Sequence, residues 1–253
     1  MIVPVTEPAR LAPLLPDWRQ TMLWSYFAGR MGEGYADQAA CPRSALVRVG
    51  DFCFFAGAPS AELAAFVPPA LAHGFAVLAP QNALWAREIE RAHPNAKRVT
   101  RYAFQKRDTF DRDALRRFAA APAGFGLRRM DEALYETAKA AEWSRDLVCQ
   151  YPSWADYAAH GRGFAATEGN TLVCGASSYA DWPGGVEIEI DCRADRRRRG
   201  LARACAAALM LDCLKNGLHP SWDAANEISA HLADTLGYEP AGAYPAFEIE
   251  PAT

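Results

Sequence analysis

The sequence predicts an α/β (α+β) protein with two domains, because strand and helix patterns alternate along both halves of the chain. Residues 186–192 alternate between apolar and charged side chains, as a half-buried strand does. A basic turn and a long alanine-rich helical segment follow them. A hairpin pattern at 44–56, closed around Gly50-Asp51, shows that the N-terminal half also contains a sheet.

The C-terminal half carries most of the periodic signals. Ile228, Leu232 and Leu236 form an apolar stripe on one helix, and Gly237 is suited to end it. A turn at 168–170 joins two strands into a hairpin. The patterns predict strands at 125–130, 163–167, 172–179, 186–192, 218–223 and 243–248, and helices at 131–141, 154–160, 197–217 and 226–236.

The N-terminal half has weaker signals but a similar element order. The patterns predict helices at 10–31, 60–72 and 82–93, and strands at 44–49, 52–56, 75–78 and 97–106. This order repeats that of 186–248, with Asn82 in the place of Asn226. One hypothesis is a degenerate copy of the C-terminal core, and the other is coincidence. Small residues, Pro and Gly at 119–126 predict domains of 1–122 and 123–253.

Composition excludes several classes of protein. The 253 residues carry a formal net charge of −3, which gives no general attraction for nucleic acid or an anionic membrane. No apolar run is long enough to span a bilayer, and the N-terminus lacks a signal-peptide pattern, so we expect a cytoplasmic protein. The seven cysteines are scattered without zinc-ligand spacing, which predicts reduced thiols and no metal site.

The segment 193–202 predicts a binding site for a diphosphate. A strand that ends in a tight turn and opens a helix leaves several backbone N–H groups unpaired at one spot, where the helix dipole favours an anion. Gly200 and Ala202 would let a ligand approach the backbone closely. The alternative for this segment alone is a solvated, arginine-rich helix start.

Two segments resemble the GNAT superfamily of N-acetyltransferases. One is the spacing Arg197-x-x-Gly200-x-Ala202, and the other is the helix that begins at Asn226 and ends in the Leu-Gly-Tyr at Tyr238. The resemblance implies the GNAT fold in the C-terminal half, with a mixed, mostly antiparallel sheet, and the smaller N-terminal domain as a possible GNAT-like copy. Within the superfamily, the chain resembles the two-domain subgroup that contains the zwittermicin A self-resistance acetyltransferase. Three segments carry this resemblance: residues 42–45, 50–57 and 187–238.

The same resemblance implies acetyl-CoA as the cofactor. The backbone of the strand end would pair with the pantetheine arm, the turn would hold the diphosphate, and the Asn-initiated helix would lie beside the arm. The implied cofactor-binding residues are Ile190, Asp191, Cys192, Arg197, Arg198, Arg199, Gly200, Leu201, Ala202, Asn226 and Ser229. The N-terminal half should not bind the cofactor, because its corresponding turn at 57–60 lacks arginine and contains Pro59.

The catalytic candidates are two carboxylates and a tyrosine. A free amine is mostly protonated at neutral pH, so a base is expected, and Glu187 and Glu189 share one face of the strand. Either carboxylate could be the base, and both could instead be solvent-facing. The tyrosine that many GNAT enzymes use as an acid is replaced by Ala233, so Tyr244 or Tyr238 is the remaining candidate.

These features predict a transferase that moves the acetyl group of acetyl-CoA to a primary amine of a small metabolite or antibiotic-like acceptor, by direct attack in a ternary complex. Two alternatives are an acyl-CoA-binding regulator without activity and a tandem GNAT-like aminoacyl transferase that uses charged tRNA. A small-molecule amine is the expected partner, with no nucleic acid and no membrane. A homodimer is one arrangement that the sequence leaves open.

Overall fold

The computed structural model describes residues 1–16, 18, 20–71, 74–107 and 109–250. Its contacts divide the chain into a first unit, Met1–Arg101 with Ala243–Thr253, and a second unit, Tyr102–Gly242. The predicted boundary after residue 122 therefore falls inside the second unit, and the end of the chain joins the first. The difference arises because the last strand pairs with strands of the N-terminal half, a long-range contact that local sequence patterns do not encode.

Thirteen strands and eight α-helices are formed by the described residues. The strands are β1 Val3–Val5, β2 Glu33–Ala36, β3 Ser44–Val49, β4 Phe52–Gly57, β5 Ala76–Pro80, β6 Lys97–Phe104, β7 Gly126–Arg129, β8 Gly163–Glu168, β9 Thr171–Trp182, β10 Gly185–Cys192, β11 His219–Ser221, β12 Asp223–Ala224 and β13 Pro240–Ile249. The helices are α1 Thr21–Phe27, α2 Ala61–Ala64, α3 Ala83–Ala92, α4 Arg112–Phe118, α5 Glu132–Ala140, α6 Trp154–His160, α7 Leu201–Lys215 and α8 Glu227–Thr235.

Two predicted N-terminal helices are shorter in the structure. The helix expected at 10–31 is limited to α1, preceded by two 3-10 turns, and that expected at 60–72 is limited to α2 and a 3-10 turn. Prolines explain both differences, because a proline inside a helix removes a donor and clashes with the preceding turn. Pro13 and Pro16 precede α1, and Pro68 and Pro69 follow α2. Residues 17, 19 and 72 of these predicted helices lie outside the described residues.

The first unit is built on a sheet in the order β1-β2-β3-β4-β5-β13-β6. The β3–β4 hairpin is antiparallel, and β5 then runs parallel to β4 after the crossover through α2. Asn82 caps α3 by accepting hydrogen bonds from the N–H groups of Leu84 and Trp85. Trp85 and Ile89 of this helix are buried in the core of the unit. A hairpin, crossover, parallel strand and Asn-capped helix therefore occur here in the predicted order.

The second unit contains a sheet in the order β11-β10-β9-β8-β7. Only the β10–β11 pair is parallel, so the sheet is mixed and mostly antiparallel, as predicted. The predicted helix at 197–217 begins only at Leu201, since the preceding residues form an extended basic turn. Ala204, Ala206, Ala207 and Ala208 are buried, and α7 packs against β8, β9 and β10 of the sheet and against α4.

The opposite face of this sheet is covered by α5 and by a 3-10 turn, Arg145–Leu147. Leu147 lies so close to Gly175 of β9 that a Cβ there would be 2.6 Å from its methyl carbon. Gly175 therefore lets the turn approach the strand directly beside β10. Tyr157 of α6 is hydrogen-bonded through its hydroxyl to Ser177 of β9 at 2.7 Å, which fixes α6 over the same face.

Candidate acetyl-CoA site

The site begins where β10 and β11 separate. Their parallel pairing covers only Gly185 to Glu187 of β10, and it ends at the Glu187–Ser221 pair. After Trp222, β12 pairs instead with Tyr102 and Ala103 of β6. The predicted strand at 218–223 is thus two short strands that pair with different neighbours. From Ile188 onward, β10 has a strand partner on one edge, β9.

A bulge marks the same position. The register between β9 and β10 shifts between Glu187 and Ile188: Glu187 is opposite Ala180 and Ile188 is opposite Ser178, so Tyr179 is the extra residue of β9. A bulge bends its strand and increases the local twist, and bulges are common beside active sites. Here the bulge lies beside the position at which β10 separates from β11, and the space between these two strands beyond it is called the gap.

Several backbone N–H and C=O groups of β10 point into this gap and have no neighbouring strand to pair with. Arg193 donates its N–H to Val173 of β9, and hydrogen-bonded and non-bonded pairs alternate along an antiparallel ladder. The N–H and C=O groups of Ile190 and Cys192 therefore point away from β9. The Ile190 N–H donates to the Glu189 side-chain Oε1 at 3.0 Å, and Arg197 Nε donates to the Cys192 carbonyl at 3.2 Å. The same alternation directs the backbone groups of Asp191 to β9.

The basic turn, residues 193–200, leads from β10 into α7. It contains a 3-10 turn, Ala194–Arg196, followed by Arg198 with φ 60° and Gly200 with φ 77°. Left-handed residues in such a turn aim successive N–H groups at one concave spot, where they can bind an anion. Gly200 is the N-cap of α7 and supplies no side-chain hydrogen bond to the helix start. The first N–H groups of α7 therefore lack a side-chain cap, and they lie at the positive end of the helix dipole.

The arginines of the basic turn fall into two groups. Arg193 forms an ion pair with Asp195, and Arg196 forms ion pairs with Asp195 and Glu168, at distances of 2.7–2.8 Å. Arg197, Arg198 and Arg199 are exposed, and no acidic side chain among the described residues forms an ion pair with them. Their three positive charges remain available for an anionic ligand at the start of α7.

Three carboxylates line the face of β10 opposite α7. Val186, Ile188 and Ile190 pack into the core beneath α7. Side chains alternate between the two faces of a strand, so Glu187, Glu189 and Asp191 point to the other face. The Glu187 side chain is buried, with 3% of its surface exposed, whereas Glu189 and Asp191 are half-buried. Burial and the nearby Asp146 carboxylate raise the pKa of Asp191, and Arg197 opposes that shift.

Comparison with known proteins places this geometry in one family. The sequence profile of the GNAT acetyltransferase family matches residues 12–247, nearly the whole chain. The chain belongs to the GNAT acetyltransferase family. A GCN5-related N-acetyltransferase-like protein from Streptococcus suis is 40% identical, with a TM-score of 0.89 over 96% of this chain and 98% of that one. The chain is therefore an acyltransferase of the GNAT class.

Two further relatives bear on the architecture. An uncharacterized N-acetyltransferase of Bacillus subtilis, YdfB, is 31% identical over 122 residues, which are 47% of this chain and about half of that protein, 46%. A tandem GNAT protein from the clavulanic acid biosynthesis pathway is 12% identical, with a TM-score of 0.54 over 100% of this chain and 99% of that one. The likeness to the tandem protein shows the fold alone, and it agrees with the repeated element order.

The GNAT helix α8 begins at Asn226 as predicted. The exposed Asn226 caps it by accepting the Ser229 N–H at 3.0 Å, which leaves the amide NH₂ of Asn226 to donate to a ligand. The Ser229 hydroxyl lies 3.1 Å from the indole Nε1 of Trp222, which donates to it. The side-chain amide of Asn226 therefore has donors that a ligand could use. The Ser229 hydroxyl already accepts a hydrogen bond from Trp222.

Tyr238, one of the two tyrosines considered as a general acid, has its hydroxyl bound within the second unit. Ala233 is fully buried, and Tyr238 donates its hydroxyl to the Pro220 carbonyl at 2.7 Å. Burial raises the pKa of Tyr238 well above its ordinary value, so this phenol keeps its proton. Tyr244 lies on the part of β13 that belongs to the first unit, and its catalytic role stays a prediction.

Lys106 is a residue that the sequence did not suggest. Its ammonium donates to the hydroxyl of Ser221 at 2.8 Å, and Ser221 is fully buried at the last position of the β10–β11 ladder. The two residues are 115 positions apart, and Lys106 is in a loop without a motif. No local pattern indicated either residue, because the break of the predicted strand at Trp222 depends on the pairing of β12 with β6.

The corresponding turn of the first unit, which follows β4, is closed by its own side chains. Gln81 accepts the Gly57 N–H at 3.0 Å, and the Trp85 indole donates to the Gly57 carbonyl at 3.0 Å. Both strand groups at the end of β4 are therefore satisfied within the unit. The helix that follows is only four residues long, and Ser60 caps it. No open strand edge and no uncapped helix start face a ligand at this position of the described first unit.

Proposed function

We propose that the protein transfers the acetyl group of acetyl-CoA to a primary amine of a small metabolite or antibiotic-like acceptor. The observation that carries the proposal is the gap between β10 and β11, which exposes a strand edge next to the uncapped start of α7. An extended pantetheine arm can add to a strand edge through main-chain hydrogen bonds, and a diphosphate suits a helix start. The two sites adjoin along the chain.

The residues that would hold the cofactor follow from their positions. Ile190 and Cys192 would offer backbone groups to the pantetheine arm, and Asn226 would offer its side-chain amide. The backbone from Gly200 to Ala202 would bind the diphosphate, with Arg197, Arg198 and Arg199 supplying positive charge. Acetyl-CoA would supply an acetyl group activated as a thioester. The oxyanion that forms on attack would accept a hydrogen bond from a backbone N–H of β10.

We assign the role of general base to Glu189. Its carboxylate reaches the Ile190 N–H, which lies on the strand edge beyond the point where β10 and β11 separate. At that edge Glu189 can accept a proton from the attacking amine, directly or through one water. The nearby Asp146 carboxylate, joined by Asp191 once the pH exceeds its raised pKa of about 7, would attract a protonated amine from solution.

Direct transfer to the acceptor is favoured over a covalent acyl-enzyme. Cys192 is the cysteine nearest to the proposed cofactor path, and its side chain pairs across the ladder with Cys174. The hydrogen bond between these thiols, together with burial, raises the pKa of Cys192 well above its ordinary value. A thiol held protonated is a poor nucleophile. The amine itself would therefore attack the thioester in a ternary complex.

The test is release of free thiol from acetyl-CoA in the presence of a panel of primary amines, including aminopolyol antibiotics. Amine-dependent thiol release, lost in Glu189→Gln, supports the proposal. The buried Ala233 in place of a tyrosine favours one alternative, a regulator that binds acyl-CoA without turnover. Tight acetyl-CoA binding with no thiol release for any amine would support the regulator and overturn the transferase.

A further inference from the structure

The clearest unassigned feature of the site is the Lys106–Ser221 pair. Ser221 lies at the point where β10 and β11 part, opposite Glu187 in a parallel ladder. Residues paired in register on adjacent strands point to the same face, so the Ser221 hydroxyl shares the carboxylate face of the sheet. Lys106 reaches this hydroxyl at 2.8 Å from a half-buried position. A positive charge is thereby held at the gap.

The hydrogen bond fixes the direction of the serine proton. An ammonium group has only donors, so the Ser221 oxygen accepts from Lys106, and its own proton must point elsewhere. Glu187 of β10 lies opposite Ser221 in the ladder, Glu189, Asp191 and Cys192 follow it on the same strand, and His219 lies on β11.

We propose that Ser221, which Lys106 orients and supplies with a proton, is the acid that protonates the departing thiolate. The inference rests on the proposed function. As the carbon–sulfur bond breaks, the sulfur keeps the electron pair and takes the proton of the Ser221 hydroxyl. A proton from the Lys106 ammonium restores the Ser221 hydroxyl. The side-chain amine of Lys106, now neutral, takes a proton from solvent. Glu189 releases to solvent the proton that it took from the acceptor amine, so the protons balance. Lys106 acts through Ser221 and is a positioning residue.

This pair would fill the role that Ala233 leaves vacant. Ala233 is buried in the core and has no donor on its side chain. The pair works from a different element, the end of β11, but serves the same gap. A cation within ~4–6 Å of a thiol lowers the thiol pKa by about one to three units, so the leaving group would also be stabilised before it is protonated.

The test measures the thiol pKa of bound coenzyme A by ¹³C NMR, with a label on the carbon next to sulfur. Such a thiol has a pKa of ~8.5 in water, and we expect a lower value in the native complex. Lys106→Met should raise the bound thiol pKa by about one unit or more, and Lys106→Arg should keep it low. Lys215→Met, at the far exposed end of α7, is the matched control and should leave it unchanged.

Ser221→Ala then separates the relay from the charge alone. With the panel's best amine, this variant should lose at least tenfold in kcat with KM for acetyl-CoA nearly unchanged. A bound thiol that titrates identically in the native protein and in Lys106→Met would overturn the inference, and so would full kcat in Ser221→Ala. Failure of the native protein to bind coenzyme A would instead contradict the proposed function.

Discussion

Ala202 offers a sharp test of the proposed diphosphate site, because it is the second residue of α7 and its backbone need not change. A glutamate at this position puts a carboxylate among the N–H groups that Gly200 leaves uncapped. Negative charge in the first turn of a helix stabilises the fold by about 0.3–1 kcal/mol. The substitution Ala202→Glu should therefore leave the melting temperature unchanged or raise it, while it occupies the anion site.

The loss of affinity follows from Coulomb's law. Two negative charges ~5 Å apart repel by ~3 kcal/mol at an effective dielectric constant of ~20, and by ~1 kcal/mol in water. The turn is exposed, so the cost lies between these limits. Since ~1.4 kcal/mol is a factor of ten in Kd, we expect coenzyme A to bind about ten- to a hundredfold more weakly.

Isothermal titration calorimetry with coenzyme A at low salt measures this change. Ala202→Gln has the same size without the charge, and its Kd should stay close to the native value if repulsion, not bulk, causes the loss. The loss in Ala202→Glu should shrink as salt is added, because ions screen the repulsion. Coenzyme A binding with native affinity to a folded Ala202→Glu protein would refute the assignment of the diphosphate to this helix start.

Three further predictions concern single residues of the site. Glu189→Gln should lower kcat for amine acetylation by about a hundredfold or more with little change in coenzyme A affinity, measured by thiol release and calorimetry; native kcat would exclude it as the base. The pKa of Asp191 is raised from its ordinary value of 3.8 to about 7, so its contribution to stability is lost as pH rises through that window. Asp191→Asn should thus raise the melting temperature at pH 8 more than at pH 5, and equal shifts would contradict this. Gly200→Val should lower the melting temperature more than Gly200→Asn, because φ is 77° and asparagine tolerates that region, and identical unfolding curves would disprove the strain.

The strand, basic turn and helix of the proposed cofactor site were predictable because their signals are local. Alternation over 186–192, the glycine at 200 and the asparagine at 226 each determine the conformation of a few neighbouring residues. The GNAT fold of the C-terminal half, with its mixed and mostly antiparallel sheet, is confirmed by the structure and the family match. The sequence predicts that Glu187 and Glu189 share a face of β10. Which face that is depends on the side of the sheet against which α7 packs, and this is a tertiary contact.

What the sequence missed depends on contacts between distant segments. The split of one predicted strand into β11 and β12 arises because β12 pairs with β6, more than a hundred residues away. The pairing of β13 with β5 is equally distant in the chain, and it moved the boundary between the units. Lys106 belongs to the same class, since a lone lysine in a loop has no local pattern that shows which hydroxyl it will meet.

The carboxylate of Glu189 on the neighbouring Ile190 N–H has a consequence for the ligand-free protein. A bare strand edge recruits strands of other molecules and leads to aggregation. Here a negative side chain folds back on the edge, so an intruding peptide would meet an occupied donor and a repelling charge. If the proposed function holds, an arriving pantetheine arm would displace the carboxylate from this N–H, and the same movement would free Glu189 to take a proton. Solubility without ligand and readiness for catalysis would then depend on a single side-chain rotation.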